Sequence, residues 1–376
     1  MKPSSQAVPP GARETRAAPH VRDRLDLRTA MRCLLCAVAP AALVGAVNAG
    51  QQVLLAGRVL GQDEPPGWRG ALVHALGFPP SPESPGASLV VGLSCAIPVL
   101  LVAAGSGWLW SQLFARVRGR SSPEMLPVAV TLFALTLPPG IPLWQVALGS
   151  SFAIVVGLEI FGGTGRNPVH PALVGFAFLY FAYPASFSGP GTWVALEGAP
   201  STTVLGTLSQ GGAAALQTTR VQWMDTLLGW QAGALGVTSA LACVAGGVFL
   251  VYAQLASWRI MLGGVLGLAV TAALVNTVGD SMRPQVGLPW HWHLTTGSFA
   301  FGIVFLATDP VTSPDTAPAR LVYGILIGAL TVLVRVFSPA HPEGAMLAIL
   351  LGNVLAPVLD HATIRLHRWR RSRRRG

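Results

Sequence analysis

The sequence is poor in charged residues. Only 11% of its 376 residues are Asp, Glu, Lys or Arg, whereas an ordinary soluble domain carries roughly 25%. Hydrophobic residues make up 52% of the chain, and the mean hydropathy is +0.55. This balance excludes an ordinary water-soluble protein and predicts a polytopic membrane protein.

Acidic residues are scarcer than basic ones, with 15 against 25, and the formal net charge is +10. The basic residues concentrate at the chain ends and in short loops, as the positive-inside rule requires. We therefore expect the excess charge to serve membrane topology, and we expect no nucleic-acid partner.

Cysteines and nucleotide-binding motifs are also scarce. The chain has four cysteines, all in apolar runs, and we interpret them as buried structural thiols. The glycines at 162–165 match neither the G-x-G-x-x-G nor the G-K-[ST] spacing. The chain thus lacks both an iron–sulfur cysteine array and a dinucleotide-binding motif.

Apolar runs dominate what is present. A bilayer needs about 20 apolar residues per helix. On that measure we predict an all-α polytopic membrane protein of about ten transmembrane helices, two of them short. The predicted spans lie near 31–50, 87–112, 124–137, 142–161, 170–187, 234–256, 259–278, 296–308, 319–337 and 344–363.

These spans define the expected domain organisation. Residues 1–30 form a disordered cytoplasmic segment, 31–363 the transmembrane domain, and 364–376 a basic cytoplasmic tail. Basic residues fall in the even-numbered loops and in the tail, which predicts that both termini are cytoplasmic. The loop at about 188–233 then faces outward. The residues that set this orientation are Arg116, Arg118, Arg120, Arg166, Arg259 and Arg320.

A short pattern recurs across the two halves of the chain. Asn167-Pro-Val-His-Pro171 opens the fifth span, and Ser338-Pro-Ala-His-Pro342 opens the tenth from the opposite side. Two inverted five-helix repeats are a known membrane architecture. Chance matching of proline-rich loop ends is the alternative.

Several longer motifs then identify a resemblance. The chain is similar to the B subunit of the bacterial sodium-translocating NADH:quinone oxidoreductase, a family related to the D subunit of Rnf-type complexes. The similarity extends from residue 20 nearly to the end. Its main segments are Phe161-Gly-Gly-Thr-Gly-Arg-Asn167, Ala256-Ser-Trp-Arg-Ile-Met-Leu-Gly263, Pro289-Trp-His-Trp-His-Leu294 and His341-Pro-Glu-Gly-Ala-Met-Leu-Ala-Ile-Leu350.

The resemblance implies a multi-pass subunit of a six-subunit complex in the bacterial inner membrane. In that family one FMN is joined to a Thr by a phosphoester, and riboflavin is held noncovalently in the membrane domain. Electrons pass between these flavins toward ubiquinone, coupled to sodium export. Because this chain has no nicotinamide-binding motif, a partner subunit would oxidise NADH.

The resemblance also implies site residues. The family's attachment motif, Asp-x-x-Ser/Thr-Gly-Ala-Thr, aligns with Glu197-Gly-Ala-Pro-Ser-Thr-Thr203, so Thr203 is the candidate for FMN attachment. Four of the motif positions differ. The alternative is an ordinary outward loop whose flavin is absent or bound noncovalently.

The hairpin at 162–171 is the candidate inner flavin site. Its glycines Gly163 and Gly165 permit backbone conformations with positive φ. Asn167 and His170 can hydrogen-bond a polar ligand edge, although the family usually has Asn where this chain has His170. A purely structural hairpin at a helix start is the alternative.

Carboxylates near membrane depth suggest a sodium pathway. Glu124, Asp309 and Asp360, together with Glu159, are placed near the cytoplasmic ends of spans. Their hard oxygen ligands suit sodium uptake from that side. The alternative is interfacial carboxylates that pair with arginines such as Arg166, Arg320 or Arg365.

Two further predictions concern structure. We expect Arg335 to pair with Glu343, and we expect His291 and His293 to lie in an interfacial aromatic belt. The competing functions for the whole chain are a flavin-free transporter or channel, because inverted repeats also build solute pathways, and a flavin electron conduit of an Rnf-like complex.

Overall fold

The computed structural model describes residues 26–62, 67–119, 122–188, 191–196, 198–199, 202–219, 221–278, 283–338 and 342–373. Within these ranges the chain is helical and contains no strand. In chain order the helices are α1 (Leu27–Val59), α2 (Trp68–Ala75), α3 (Pro85–Arg118), α4 (Leu126–Leu135), α5 (Leu143–Ile154), α6 (Pro171–Ala182), α7 (Ala185–Ser188), α8 (Val204–Thr219), α9 (Trp223–Leu228), α10 (Ala240–Tyr252), α11 (Trp258–Val278), α12 (Trp290–Thr295), α13 (Phe299–Phe301), α14 (Ala317–Phe337) and α15 (Gly344–Arg373). Two π-helical turns, Val155–Glu159 and Gly302–Leu306, continue α5 and α13.

The predicted polytopic all-α fold is confirmed. Five helices, α1, α3, α11, α14 and α15, are long and apolar enough to cross a membrane. Shorter apolar helices occupy the remaining predicted spans: α4, α5 with its π turn, α6 and α10, and the short α13 with its π turn. Each of the ten predicted apolar runs therefore contains a helix.

Local chemistry explains several helix ends. The Asp26 carboxylate accepts a hydrogen bond from the Leu27 amide at the start of α1. The Ser84 hydroxyl accepts one from the Ala87 amide 3.3 Å away, and proline occupies the first position of α3. Gly119 ends α3 with φ +61°, a left-handed conformation that costs glycine little.

The structure extends the predicted organisation in two places. The segment from residue 364 to Arg373, expected as a separate tail, continues α15 as helix. The expected outward loop contains α8 and α9, and α12 precedes the short span. These helices escaped prediction because they are short or lack a long apolar run.

Helix packing agrees in part with two repeats. In the first half α3 packs on α5 and α5 on α6, and in the second half α11 packs on α14 and α14 on α15. The halves meet where α1 packs on α10 and α6 on α15. The halves also differ, because α1 packs along α3 whereas α10 and α11 touch little. His341, part of the recurring pattern, lies outside the described residues.

Glycines allow the closest helix contacts. A Cβ built on Gly267 of α11 would overlap the Ile325 carbonyl oxygen of α14, and one on Gly328 of α14 would overlap the Gly264 carbonyl oxygen. Backbones therefore touch directly along this pair, as small residues permit in membrane helices. The predicted burial of all four thiols is wrong in part: Cys95 and Cys243 are buried, but Cys36 is exposed.

Candidate functional site

The hairpin after α5 is built by three glycines. Gly162, Gly163 and Gly165 have φ values of +105°, +93° and +89°, where a residue with a Cβ would be strained. The Gly163 amide donates to the Leu158 carbonyl oxygen 3.0 Å away, which closes the π-helical end of α5. The chain can then reverse within a few residues toward α6.

His170 caps helix α6 from this hairpin. Its side chain is 1% exposed, and its Nδ1 accepts a hydrogen bond from the Ala172 amide 3.2 Å away. An accepting Nδ1 carries no proton, so the neutral ring holds its proton on Nε2. Across the described part of the chain Nε2 has no hydrogen-bond partner. The ring thus offers one buried, unused donor.

Asn167 lies three residues earlier and is 3% exposed. Its Nδ2 donates to the Val169 carbonyl oxygen at 3.2 Å, while its Oδ1 finds no partner among the described residues. A buried polar atom without a partner is costly. The hairpin therefore holds an unused donor at His170 and an unused acceptor at Asn167, which fits a polar ligand with both kinds of group.

A cavity, which we call the hairpin cavity, opens beside these residues. Gly163 lines it together with Glu124 and Glu159, whereas Asn167, His170 and Gly165 do not. The Met125 amide donates to the Thr164 hydroxyl at 3.1 Å, which fastens the hairpin to the start of α4. The predicted inner-site residues are therefore divided between the cavity wall and the buried base of the hairpin.

Glu159 is the buried acid of this cavity. Its side chain is 6% exposed, and its Oε2 lies 3.5 Å from the Arg118 Nη1, while its Oε1 is unpaired within the described residues. Glu124, which is more exposed, forms an ion pair with Arg28 at 2.7 Å. The arginine partners differ from those predicted, because Arg28 and Arg118 approach from other helices.

The remaining two carboxylates are held by hydrogen bonds. Asp360 on α15 accepts from the Asp315 amide at 2.8 Å and from the Thr316 amide and hydroxyl at 2.8 and 2.6 Å. It therefore satisfies free backbone donors at the start of α14. Predicted pairing with Arg320 is replaced, since Arg320 Nε donates to the Pro314 carbonyl oxygen.

Asp309 lies in the connection after the second π turn, outside the spanning helices. It is 1% exposed and accepts a hydrogen bond from the Thr312 hydroxyl at 3.1 Å. Burial raises the pKa of this carboxyl to about 6. The described residues contain no group of three or more His, Cys, Asp or Glu side chains that could hold a metal ion. Glu124, Asp309 and Asp360 thus do not share one binding site.

Thr203 lies at the first turn of α8. Its hydroxyl is half-buried and accepts a hydrogen bond from the Gly206 amide at 3.0 Å, and its carbonyl accepts one from Thr207. Within the attachment motif, Glu197, Pro200 and Ser201 lie outside the described residues.

Two cavities flank this turn. Thr203 lines one of about 450 Å³ together with Trp193, and Thr202 lines the other, of about 880 Å³, together with Trp230. Both volumes fall within the roughly 300–1,000 Å³ of typical ligand pockets. Gln231 lines both cavities and so belongs to the wall between them.

A polar network secures that wall. The Gln231 Nε2 donates to the Thr238 carbonyl oxygen at 3.0 Å, and the Gln231 carbonyl accepts from the Asn48 Nδ2 at 2.7 Å. Asn48 comes from α1, 183 residues away in the chain. Sequence reasoning missed both residues, since no local pattern announces such a partner.

Arg335 shapes the opposite side of the Thr203 cavity. It is fully buried and donates to the carbonyl oxygens of His293 and Thr296 at 2.6 and 2.9 Å. Glu343 instead accepts from the Ser298 amide and hydroxyl at 3.2 and 2.6 Å. The predicted Arg335–Glu343 pair is therefore replaced by two separate clamps on one turn, and His293 is buried rather than interfacial.

Comparison with known proteins gives a consistent result. Residues 14–367 match the NQR2, RnfD, RnfE family. The B subunit of the Na(+)-translocating NADH-quinone reductase of Chromohalobacter salexigens is 46% identical over 96% of this chain and 87% of its own length. The protein of the same name from Azotobacter vinelandii is 44% identical over 95% of this chain and 89% of its own.

Proposed function

The chain belongs to the NQR2, RnfD, RnfE family, and on that premise we propose that it is the B subunit of a sodium-translocating NADH-quinone reductase. The carrying observation is a similarity of 44–46% identity over nearly the whole chain. In this role the protein passes electrons between flavins toward ubiquinone within a six-subunit complex of the bacterial inner membrane, coupled to sodium export. A partner subunit oxidises NADH.

We assign FMN attachment to Thr203. A phosphate esterified to its hydroxyl would lie at the start of α8, where free backbone N–H groups and the helix dipole favour negative charge. The flanking cavities offer apolar and aromatic walls from Trp193 and Trp230 with amide oxygens and nitrogens from Gln231. When bound, a flavin supplies the electron-carrying chemistry that no side chain of this protein provides.

We assign the second flavin, riboflavin, to the hairpin. The unused donor at His170 and the unused acceptor at Asn167 support this assignment, because a flavin edge both accepts and donates hydrogen bonds. Gly163 and Gly165 hold the backbone turn that presents these two residues.

Sodium uptake is assigned to the carboxylates. Asp309 is the strongest member, because a buried carboxylate with a raised pKa gains most from a nearby cation. Glu124 and Asp360 belong to separate steps of the same pathway, each with its own partners.

Flavin analysis of the complex purified from its native host tests the attachment. Mass spectrometry of the peptide containing Thr203 should show the added mass of FMN, and Thr203→Ala should abolish it. Thr202→Ala is the matched control, because the neighbouring hydroxyl lines the other cavity. An unmodified peptide in the wild type would overturn covalent attachment.

The visible spectrum tests the wider assignment. A flavin-bearing protein should absorb at about 450 nm, with noncovalent flavin released on denaturation. A preparation of the intact complex in which this chain carries no flavin would favour the flavin-free transporter instead.

A further inference from the structure

The last three turns of α15 form a dense basic segment. Between Ile364 and Arg373 the chain has five arginines and no acidic residue, and every side chain there is exposed. We call this set the arginine collar. It consists of Arg365, Arg368, Arg370, Arg371 and Arg373.

The length of α15 places the collar relative to the bilayer. Its 30 residues rise about 45 Å at 1.5 Å each, close to the full thickness of a bilayer with its headgroups. The apolar part from Gly344 to Thr363 accounts for about 30 Å, the thickness of the hydrocarbon core. Arg365 therefore emerges at the headgroup layer, and Arg373 lies about 12 Å further along the axis.

The collar surrounds the helix on all sides. At about 100° per residue, the five arginines lie at about 0°, 80°, 140°, 240° and 300° around the axis, counted from Arg365. The largest gap between neighbours is about 100°. A flat acidic face of a protein partner would need arginines on one side only, and a helix lying on the membrane would need a separate apolar face. Charges all around suit a layer of anionic groups that encloses an upright helix.

We propose that the arginine collar binds the phosphate groups of anionic phospholipids in the adjoining leaflet. Guanidinium groups bind phosphate oxygens through paired hydrogen bonds, and basic residues next to a span attract anionic lipid. Trp369 within the collar is half-exposed, as tryptophans at membrane interfaces are, and the Arg373 guanidinium lies 4.0 Å from its ring centroid. The proposal requires membrane insertion alone and is independent of the flavin assignments.

The end of α15 is also fixed to the protein body. Asp360, five residues before Arg365, is hydrogen-bonded to the first turn of α14. The collar therefore projects from a defined position, and bound lipids would surround α15 where it leaves the bilayer.

Lipid retention by the full chain tests this proposal. The protein would be reconstituted in nanodiscs of mixed phosphatidylglycerol and phosphatidylcholine, extracted, and examined by native mass spectrometry. We expect the wild type to retain phosphatidylglycerol selectively, and a variant with all five collar arginines changed to Gln to lose that selectivity. The variant with five Lys should keep most of it, because the charge is retained.

Two controls make the result decisive. Arg32→Gln/Arg116→Gln removes exposed arginines elsewhere and should change the selectivity less than the collar variant does. Helix content by circular dichroism shows whether the Gln variant is folded. Unchanged phosphatidylglycerol retention in a folded Gln variant would overturn the proposal. So would loss of another subunit with lipid retention intact, which would assign the collar to an acidic protein partner.

Discussion

The contact between α11 and α14 makes a direct prediction about stability. A Cβ at Gly267 would overlap the Ile325 carbonyl oxygen and lie 2.8 Å from the Ile325 Cα. Ordinary van der Waals contact begins at 3.4 Å, so the helices would have to part by at least 0.6 Å at this point. The helix interiors offer no flexible side chain that could yield instead.

The expected cost follows from that gap. A separation of roughly 0.5–1 Å forfeits about a quarter to a half of the dispersion energy of each atom pair. Overpacking a tight core typically costs about 1–3 kcal/mol. Gly267→Ala should therefore lower the unfolding free energy by about 1–3 kcal/mol and the melting temperature by several degrees. We expect the upper part of that range, because the added Cβ meets backbone rather than side chain.

Gly105→Ala is the matched control. Gly105 lies inside α3, is exposed and has no atom within 4 Å of an added Cβ. There the same substitution should stabilise the protein by about 0.4–1 kcal/mol through lower entropy of the unfolded chain. Melting of both variants in the same detergent, followed by circular dichroism, gives opposite shifts. A Gly267→Ala variant that melts at or above the wild type would refute the packing argument.

Two further variants test the clamps described above. Arg335→Leu leaves the carbonyl oxygens of His293 and Thr296 without donors, at about 1–3 kcal/mol each, so it should melt well below the wild type; an unchanged melting temperature contradicts that role. His170→Ala removes the cap of α6 and should cost about 0.5–2 kcal/mol, whereas His170→Asn should restore most of it, because Asn caps well. Equal melting of the two His170 variants, compared in parallel scans, would argue against capping.

The sequence predicts the spans well because their signal is local. A run of 20 apolar residues identifies a membrane helix without knowledge of its neighbours. The same reasoning failed at the end of α15, since a change in composition at residue 364 was taken for a change in structure. Arginine is a good helix former, so the helix continues into the charged segment.

Contacts over long distances in the chain could not be predicted. The nearest opposite charge to Arg335 in the sequence is Glu343, yet the guanidinium binds carbonyl oxygens about 40 residues away. Gln231 likewise depends on Asn48 from the first helix. Such partners are selected by the three-dimensional packing of helices, which a single sequence does not reveal.

The π turn at Val155–Glu159 has a consequence for how this region tolerates insertions and deletions. A π turn carries one residue more than the α-helical turn it replaces. Deleting one residue here would let the helix close as an ordinary α-helix, and everything after it would rotate by about 100° and shift by about 1.5 Å. Glu159 and the three glycines would then leave the hairpin cavity together. The number of residues in this turn, more than their identity, sets the direction in which the hairpin faces.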